Sequence, residues 1–198
     1  MKRATLGFGI VVAALSAQGL TRHDRDFALS HLHASRKMLL DAIAGLTPAQ
    51  WKFKPAPARW SIAECAEHVA LSEDFMFERV QRMLKAPATP GKKPEVSDEA
   101  LIRDSADRSQ KAKADEPRTQ PQGRWGTPAR LAEYFKARRE RTLDYVRTTQ
   151  DALRSHFAGA GTPSETFDAY QWLLLIAGHT ERHVLQINEV KADPGYPR

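Results

Sequence analysis

Residues 172–191 read WLLLIAGHTERHVLQINEVK, a pattern that predicts one long amphipathic helix. Apolar residues recur there at steps of three and four, the period of a helix face turned to a core. These residues are Trp172, Leu173, Ile176, Val184, Ile187 and Val190. His179 and His183 fall within the same stripe. Because side chains four residues apart project from one helix face, both imidazoles point in the same direction.

Two interpretations of this histidine pair are open at the level of the helix alone. Two neutral imidazoles that converge in an apolar setting form part of a transition-metal site that lacks a third ligand. Alternatively, they are core histidines bonded to carbonyl groups, or a packing pair sensitive to pH. A pair of histidines four residues apart also arises by chance, so the helix does not decide between these interpretations.

Composition limits the class of protein. The chain has 198 residues, 41% apolar and 27% charged, which suits one globular domain and neither a disordered nor a membrane-embedded chain. The net charge of +6 is a mild basic excess without a recognisable nucleic-acid-binding module, so no nucleic-acid partner is predicted. The single cysteine, Cys65, excludes an intrachain disulfide and a zinc site built from several cysteines.

Residues 1–20 have the composition of a signal peptide. Lys2 and Arg3 precede an uncharged run over residues 4–17, which ends in small residues that include Ala17. The run is too short for a transmembrane helix, which needs about 20 apolar residues, so no stable membrane span is expected. The pattern predicts a secreted or periplasmic protein. The alternative is a cytoplasmic protein whose first helix has an apolar start.

Two further long helices are predicted in the first half of the chain. Residues 24–43 carry apolar residues at helical spacing, with Gly45 as a stop. Ser61 and Glu64 then form a capping box, S-x-x-E, which begins a second helix that runs to about Lys85.

The second half of the chain supplies two more long helices. Thr127 and Pro128 begin one whose inner stripe extends to Leu153, and Asp168 begins the helix that carries the histidine pair. No run alternates like a strand. Four long helices predict an all-α four-helix bundle.

The second and third long helices are joined by residues 86–126, a polar and proline-containing segment. A connection of this length is what two parallel neighbouring helices require, since short loops join antiparallel ones. A short amphipathic helix over about 97–111 is predicted within it, anchored by Leu101 and Ile102. The alternative is a disordered insertion.

His68, near the start of the second long helix, is the candidate third ligand for His179 and His183. Metal ligands in a bundle come from side chains on facing helices. Three imidazoles leave at least one coordination position open, which is typical of reactive metal sites. Since only neutral imidazoles bind metal, affinity is expected to fall below about pH 6.5.

Several nearby residues have both a functional and a structural interpretation. Glu64 is a candidate general base, although its capping role already accounts for it. Cys65 is a candidate pocket residue, as a fourth ligand or nucleophile, or else a small buried apolar side chain. Arg138, on the inner stripe, is a candidate for binding an anionic substrate group or for pairing with Glu64 or Glu73.

Two residues beside the pair on the last helix are assigned by position. Gln186, one turn after His183, is predicted to line the pocket. Arg182 is expected to project away from the histidines into solvent.

Four segments together carry a resemblance to a known family: KFKPAPARWS over 52–61, WSIAECAEHVALSE over 60–73, QGRWGTP over 122–128 and HTERHVLQINEV over 179–190. The chain resembles the DinB-like superfamily, which includes the YfiT-type metal-dependent hydrolases, over about residues 24–191. The resemblance implies a four-helix bundle with up-down-down-up connectivity. The predicted domain covers residues 21–193, and residues 194–198 form a tail.

The resemblance also implies a function. His68, His179 and His183 match the family's metal-binding histidines, and the implied cofactor is one divalent transition metal: zinc, nickel or iron. The implied activity is metal-dependent hydrolysis or thiol transfer on an unknown small molecule. The alternative is a non-catalytic metal-binding or stress-related bundle. Homodimers occur in the family, although no feature of this sequence requires one.

The predicted signal peptide can be tested directly. Production in a secreting bacterial host, followed by sequencing of the N-terminus, is expected to yield a product that lacks the first 17 to 20 residues, since signal peptides are removed during export. A purified product that begins at Met1 would contradict the prediction.

Overall fold

The computed structural model describes residues 19–109, 114, 116–159 and 166–198. Within these residues the chain forms six α-helices and one short hairpin. The helices are α1 (Arg22–Ile43), α2 (Pro48–Lys52), α3 (Ile62–Met83), α4 (Asp98–Ala106), α5 (Pro128–Thr148) and α6 (Ala169–Lys191). The strands β1 (Phe157–Gly159) and β2 (Thr166–Asp168) pair antiparallel. The four long helices α1, α3, α5 and α6 form the predicted bundle.

Each long helix is preceded by a capping residue that satisfies a backbone donor of its first turn. Thr21, Ser61, Thr127 and Asp168 have extended backbones, and each side chain accepts a hydrogen bond from the backbone N–H three residues later. These bonds satisfy donors that the first turn of a helix leaves without intrahelical partners. The predicted capping box of α3 is therefore confirmed.

Helices α3 and α5 run parallel to each other. The hydroxyl of Tyr134, early in α5, donates to Asp74, and Tyr145, in the last turn of α5, makes an edge contact with Phe77. Because later residues of one helix meet later residues of the other, the two chains share a direction. The long connection before α5 makes this arrangement possible.

Helices α1 and α6 run opposite to that pair. Arg25, in the first turn of α1, donates to the carbonyl of Val146 at the end of α5. Arg79, late in α3, stacks on Trp172 at the start of α6. The connectivity is therefore up-down-down-up, as predicted.

A layer of buried polar side chains divides the core into two apolar regions. One apolar region includes Leu32, Met76 and Leu143, and the other includes Leu39, Val69 and Phe135. Between them every long helix contributes at least one polar residue to a group that we call the polar layer. Its members are Ser35, Glu73, Arg139, Thr142 and Thr180, all buried.

Arg139 is the centre of the polar layer. Its guanidinium donates to both carboxylate oxygens of Glu73 at 2.9–3.0 Å, to the carbonyl of Leu32 at 2.7 Å, to Ser35 at 2.8 Å and to Thr180 at 3.0 Å. These bonds connect α5 to the other three long helices. The pairing also satisfies a charge that would otherwise be costly to bury.

The structure corrects the prediction for Arg138. Its side chain is 40% exposed and pairs with Asp74, whereas the inward position belongs to Arg139. One residue turns a helix by about 100°, so an error of one position moves a side chain from the core to the surface.

Two predicted boundaries are also corrected, and one hairpin was not predicted. Helix α5 ends at Thr148, and Leu153 reaches the core from a 3₁₀ turn. The short helix in the connection ends at Ala106, although Leu101 and Ile102 are buried as predicted. The hairpin was missed because strands of three residues are too short to show alternation. No helix within the described ranges is both long and apolar enough to cross a membrane.

The polar layer predicts an asymmetry between two neighbouring arginines. Arg139→Leu should lower the free energy of unfolding by about 3–5 kcal/mol, because the buried carboxyl group of Glu73 would lose its guanidinium partner. Arg138→Leu, which breaks an exposed pair, should cost roughly 0–1 kcal/mol. Urea denaturation measures both.

The double variant Arg139→Leu/Glu73→Leu serves as a control, because it removes both buried charges. It should recover part of the stability lost in Arg139→Leu. Equal losses in the Arg138 and Arg139 variants would contradict the assignment.

Candidate metal centre

The three predicted histidines meet on facing sides of α3 and α6. His68 lies in the second turn of α3, and His179 and His183 lie one turn apart in α6. The Nε2 atom of His179 is 3.1 Å from Nε2 of His68 and 3.2 Å from Nε2 of His183. Within the described residues, the ligand atoms of these three side chains all lie within 4.8 Å of one another.

The geometry of these nitrogens fits a transition metal. A metal about 2.0–2.1 Å from each nitrogen places the nitrogens about 2.9–3.4 Å apart, for bond angles between octahedral and tetrahedral values. The observed separations of 3.1 and 3.2 Å lie in this range. Three imidazoles suit zinc, nickel or iron, so the donor set does not select one of them.

Two of the three rings are oriented by a hydrogen bond at their other nitrogen. Nδ1 of His68 donates to the carbonyl of Thr119 at 2.8 Å, and Nδ1 of His183 donates to Oε1 of Gln186 at 2.9 Å. A ring that donates through Nδ1 presents the lone pair of its Nε2 atom, which is then available to a metal.

Burial keeps the imidazoles neutral. Burial lowers the pKa of His68, and burial followed by the charges of His183 and His68 holds the pKa of His179 well below its usual value. For His183, burial together with His68, Arg108 and Arg182 lowers the pKa to about 3. Because these pKa values are lowered, protons compete with a metal only at a more acidic pH than the value of about 6.5 expected from unperturbed histidines. The predicted threshold was therefore too high.

Glu67 fixes the connecting segment beside His68. Its carboxylate, 3% exposed, accepts hydrogen bonds from the backbone N–H groups of residues 122–124 at 2.9, 2.8 and 3.3 Å. Gly123 has φ +75°, a conformation that glycine adopts without strain and that lets this turn wrap the carboxylate. The same segment carries Thr119, the acceptor for His68. The sequence did not predict this anchor because the turn has no periodic pattern.

A cavity of about 600 Å³ opens against the three histidines. Its apolar wall includes Trp60, Phe75 and Met76. The Trp60 ring lies 5.0 Å from the ring of His68 and 6.1 Å from that of His183, measured between centroids. The volume is in the range of small-molecule sites, about 300–1,000 Å³.

The remaining candidate residues divide between this cavity and the rest of the bundle. Gln186 lines the cavity, and so does the half-buried Arg182, so the expectation that Arg182 projects away from the histidines was wrong. Arg138 is not among the lining residues, so its predicted place in the pocket was also wrong.

Glu64 and Cys65 lie outside the cavity lining. The carboxylate of Glu64 accepts from the backbone of Ser61 at 2.7 Å and from Lys54 at 2.8 Å, which accounts for both oxygens. Cys65 is fully buried in an apolar cluster, and burial raises the pKa of its thiol to about 12. A thiol with that pKa is not a thiolate near neutral pH.

The sequence profile of the DinB superfamily matches residues 31–187. The chain belongs to the DinB superfamily. Its fold is similar to that of YfiT from Bacillus subtilis, with a TM-score of 0.60 and 16% sequence identity. The similarity covers 90% of this chain and 91% of YfiT, whose structure is described as that of a probable metal-dependent hydrolase with an unusual four-helix bundle topology. No curated protein shows significant sequence similarity to the chain.

The Glu67 anchor leads to a prediction about metal affinity. Glu67→Gln should weaken zinc binding by about 10- to 100-fold, the usual effect of removing groups that orient a ligand, because an amide cannot accept all three backbone bonds. A competitive titration with a zinc chelator measures the affinity.

Asp74→Asn is the matched control, since Asp74 is a partly buried carboxylate on the same helix with its own hydrogen bonds. It should leave zinc affinity unchanged. Equal affinities in the wild type and Glu67→Gln would show that the anchor does not position His68.

Proposed function

We propose that this DinB superfamily member is a metal-dependent hydrolase of a small molecule, with one divalent transition metal held by His68, His179 and His183. The observation that carries the proposal is the convergence of three Nε2 atoms at 3.1 and 3.2 Å beside a cavity of about 600 Å³. A metal that serves only to stabilise the fold needs no such cavity, because structural sites are closed. The cavity therefore favours an enzyme over a non-catalytic metal-binding or stress-related bundle.

The residues around the three histidines have distinct roles in this proposal. A bound divalent ion would supply Lewis acidity and would lower the pKa of a water or thiol that it contacts. Thr119 and Gln186 keep the imidazole rings oriented, and Trp60 packs against two of those rings. The description of YfiT as a probable metal-dependent hydrolase supports the same class of reaction.

Thiol transfer is the alternative reaction for the same centre. The buried Cys65 does not supply its nucleophile, since burial raises the pKa of that thiol to about 12. A transferase would therefore need a thiol that enters the cavity as a co-substrate.

We also propose export to the periplasm or the exterior. The predicted signal peptide covers residues 1–20, of which 1–18 lie outside the described residues. Leu20 packs into the core, so a cut after Ala17 suits the fold better than one that also removes Leu20. Homodimer formation and the absence of a nucleic-acid partner stay predictions.

Metal content and hydrolysis together test the proposed function. Wild-type protein purified without a His-tag should contain about one divalent metal per chain by elemental analysis, and His179→Ala should lose most of it, because two imidazoles bind much more weakly than three. His33→Ala, which removes an exposed histidine, is the control and should retain the metal.

Each protein is then assayed against a panel of esters, amides and lactones. Hydrolysis should follow the metal, being lost in His179→Ala and after chelation, and restored when metal is added back to the wild type. Equal metal content in His179→Ala and wild type would remove the centre. A loaded protein that hydrolyses nothing in the panel would favour a non-catalytic bundle.

A further inference from the structure

Three arginines from separate parts of the chain line the cavity beside the histidines. Arg59 lies just before α3, Arg108 follows α4, and Arg182 is on α6. Among the described residues that line the cavity, Glu116 is the single carboxylate, and it already accepts from Arg118 at 3.3 Å. The wall around the metal centre is therefore rich in positive charge.

Two of these arginines share one carboxylate. Arg108 donates through Nε and Nη2 to the two oxygens of Glu189, both at 3.0 Å, while Arg59 reaches the same carboxylate at 3.4 Å. The Nη1 group of Arg108 makes no hydrogen bond with the part of the chain that the structure describes. Glu189 thus orients Arg108 and leaves this pair of guanidiniums with one positive charge in excess.

Such a pair suits an oxyanion. A guanidinium presents planar N–H donors that match carboxylate and phosphate groups, and bonds between two charged groups are stronger than neutral ones. A partly enclosed cavity also strengthens the attraction, because less water screens the charges. Trp60, Phe75 and Met76 offer an apolar surface in the same cavity.

We propose that the cavity recognises an amphipathic organic anion, with its carboxylate or phosphate held by Arg59 and Arg108 and its apolar part against Trp60, Phe75 and Met76. This assignment rests on the proposed function, since it names the substrate class of that same site. It also moves anion recognition from Arg138, where the sequence placed it, to arginines in connecting segments.

Isothermal titration calorimetry with probes that share a phenylalkyl group but differ in charge tests the assignment. The probes are 4-phenylbutyrate, 3-phenylpropyl phosphate and the neutral 4-phenylbutanamide, each measured on metal-free and on zinc-loaded protein. The wild type should bind at least one anionic probe about tenfold or more tightly than the amide, in both forms, because charged hydrogen bonds are made to one probe and not the other. The anion that binds more tightly shows whether the cavity prefers a carboxylate or a phosphate group.

Arg59→Gln/Arg108→Gln should abolish the preference for the anion without weakening zinc binding, because removing positive charge beside the site does not disfavour a cation. Arg22→Gln/Arg103→Gln makes the same change in net charge on exposed side chains outside the cavity and should keep the preference. The single variant Arg59→Gln should lose part of the preference for the anion. It keeps the test valid if the double variant does not fold, because Arg59 is 44% exposed.

Two results would overturn the assignment: no preference for either anion in the metal-free wild type, or equal losses in the cavity and exposed double variants. A preference that appears only with zinc and survives Arg59→Gln/Arg108→Gln would place the anion on the metal and also refute it. These results are independent of hydrolysis. A protein that binds the anion through its arginines but cleaves no substrate would refute the proposed reaction alone.

Discussion

The buried guanidinium of Arg139 is the constraint on which this bundle depends. A charge in the interior is tolerated only when its donors and its counter-charge are fully paired, and here the partners come from α1, α3 and α6. Apolar packing alone allows helices to slide or rotate relative to one another at modest cost. Four helices that must each present a polar group to one guanidinium have much less freedom, so the polar layer fixes their register.

The metal centre inherits its geometry from this register. Thr180, which accepts from Arg139, directly follows His179, and Glu73 lies five residues after His68 on the opposing helix. When these two partners meet at Arg139, the two histidines are brought to facing positions on α3 and α6. The 86–126 connection packs over the histidines. Glu67 accepts hydrogen bonds from the backbone of this connection, and the carbonyl of Thr119 within it orients His68. The helices supply the three histidines, and the connection supplies part of the cavity wall.

Periodic and capping signals made most of the fold predictable. The spacing of apolar residues identified four long helices, and Ser61, Thr127 and Asp168 marked the starts of three of them. The length of the 86–126 connection indicated parallel neighbours. The histidines were predicted because they stand at helical spacing, where the direction of a side chain follows from its position. The prediction was wrong by one residue in α5, where Arg138 was assigned to the inner face and Arg139 was not.

The parts that sequence did not reveal lie where no period exists. The cradle around Glu67 depends on the turn conformation at Gly123, and the cavity arginines come partly from segments between helices. Their meeting is a result of tertiary packing between residues as far apart as Arg59 and Glu189. The strands of the hairpin are likewise too short for a pattern. Local signals thus predicted the helices and the histidine cluster, whereas the arginine-lined cavity could be seen only in the fold.

X-ray absorption spectroscopy at the metal edge of the zinc-loaded protein tests the central claim most directly, because it counts and identifies the atoms bound to the ion. The account predicts three imidazole nitrogens at about 2.0–2.1 Å, with one or more light-atom ligands from solvent and no sulfur. A first shell with fewer than three imidazoles, or one that contains the sulfur of Cys65, would contradict it.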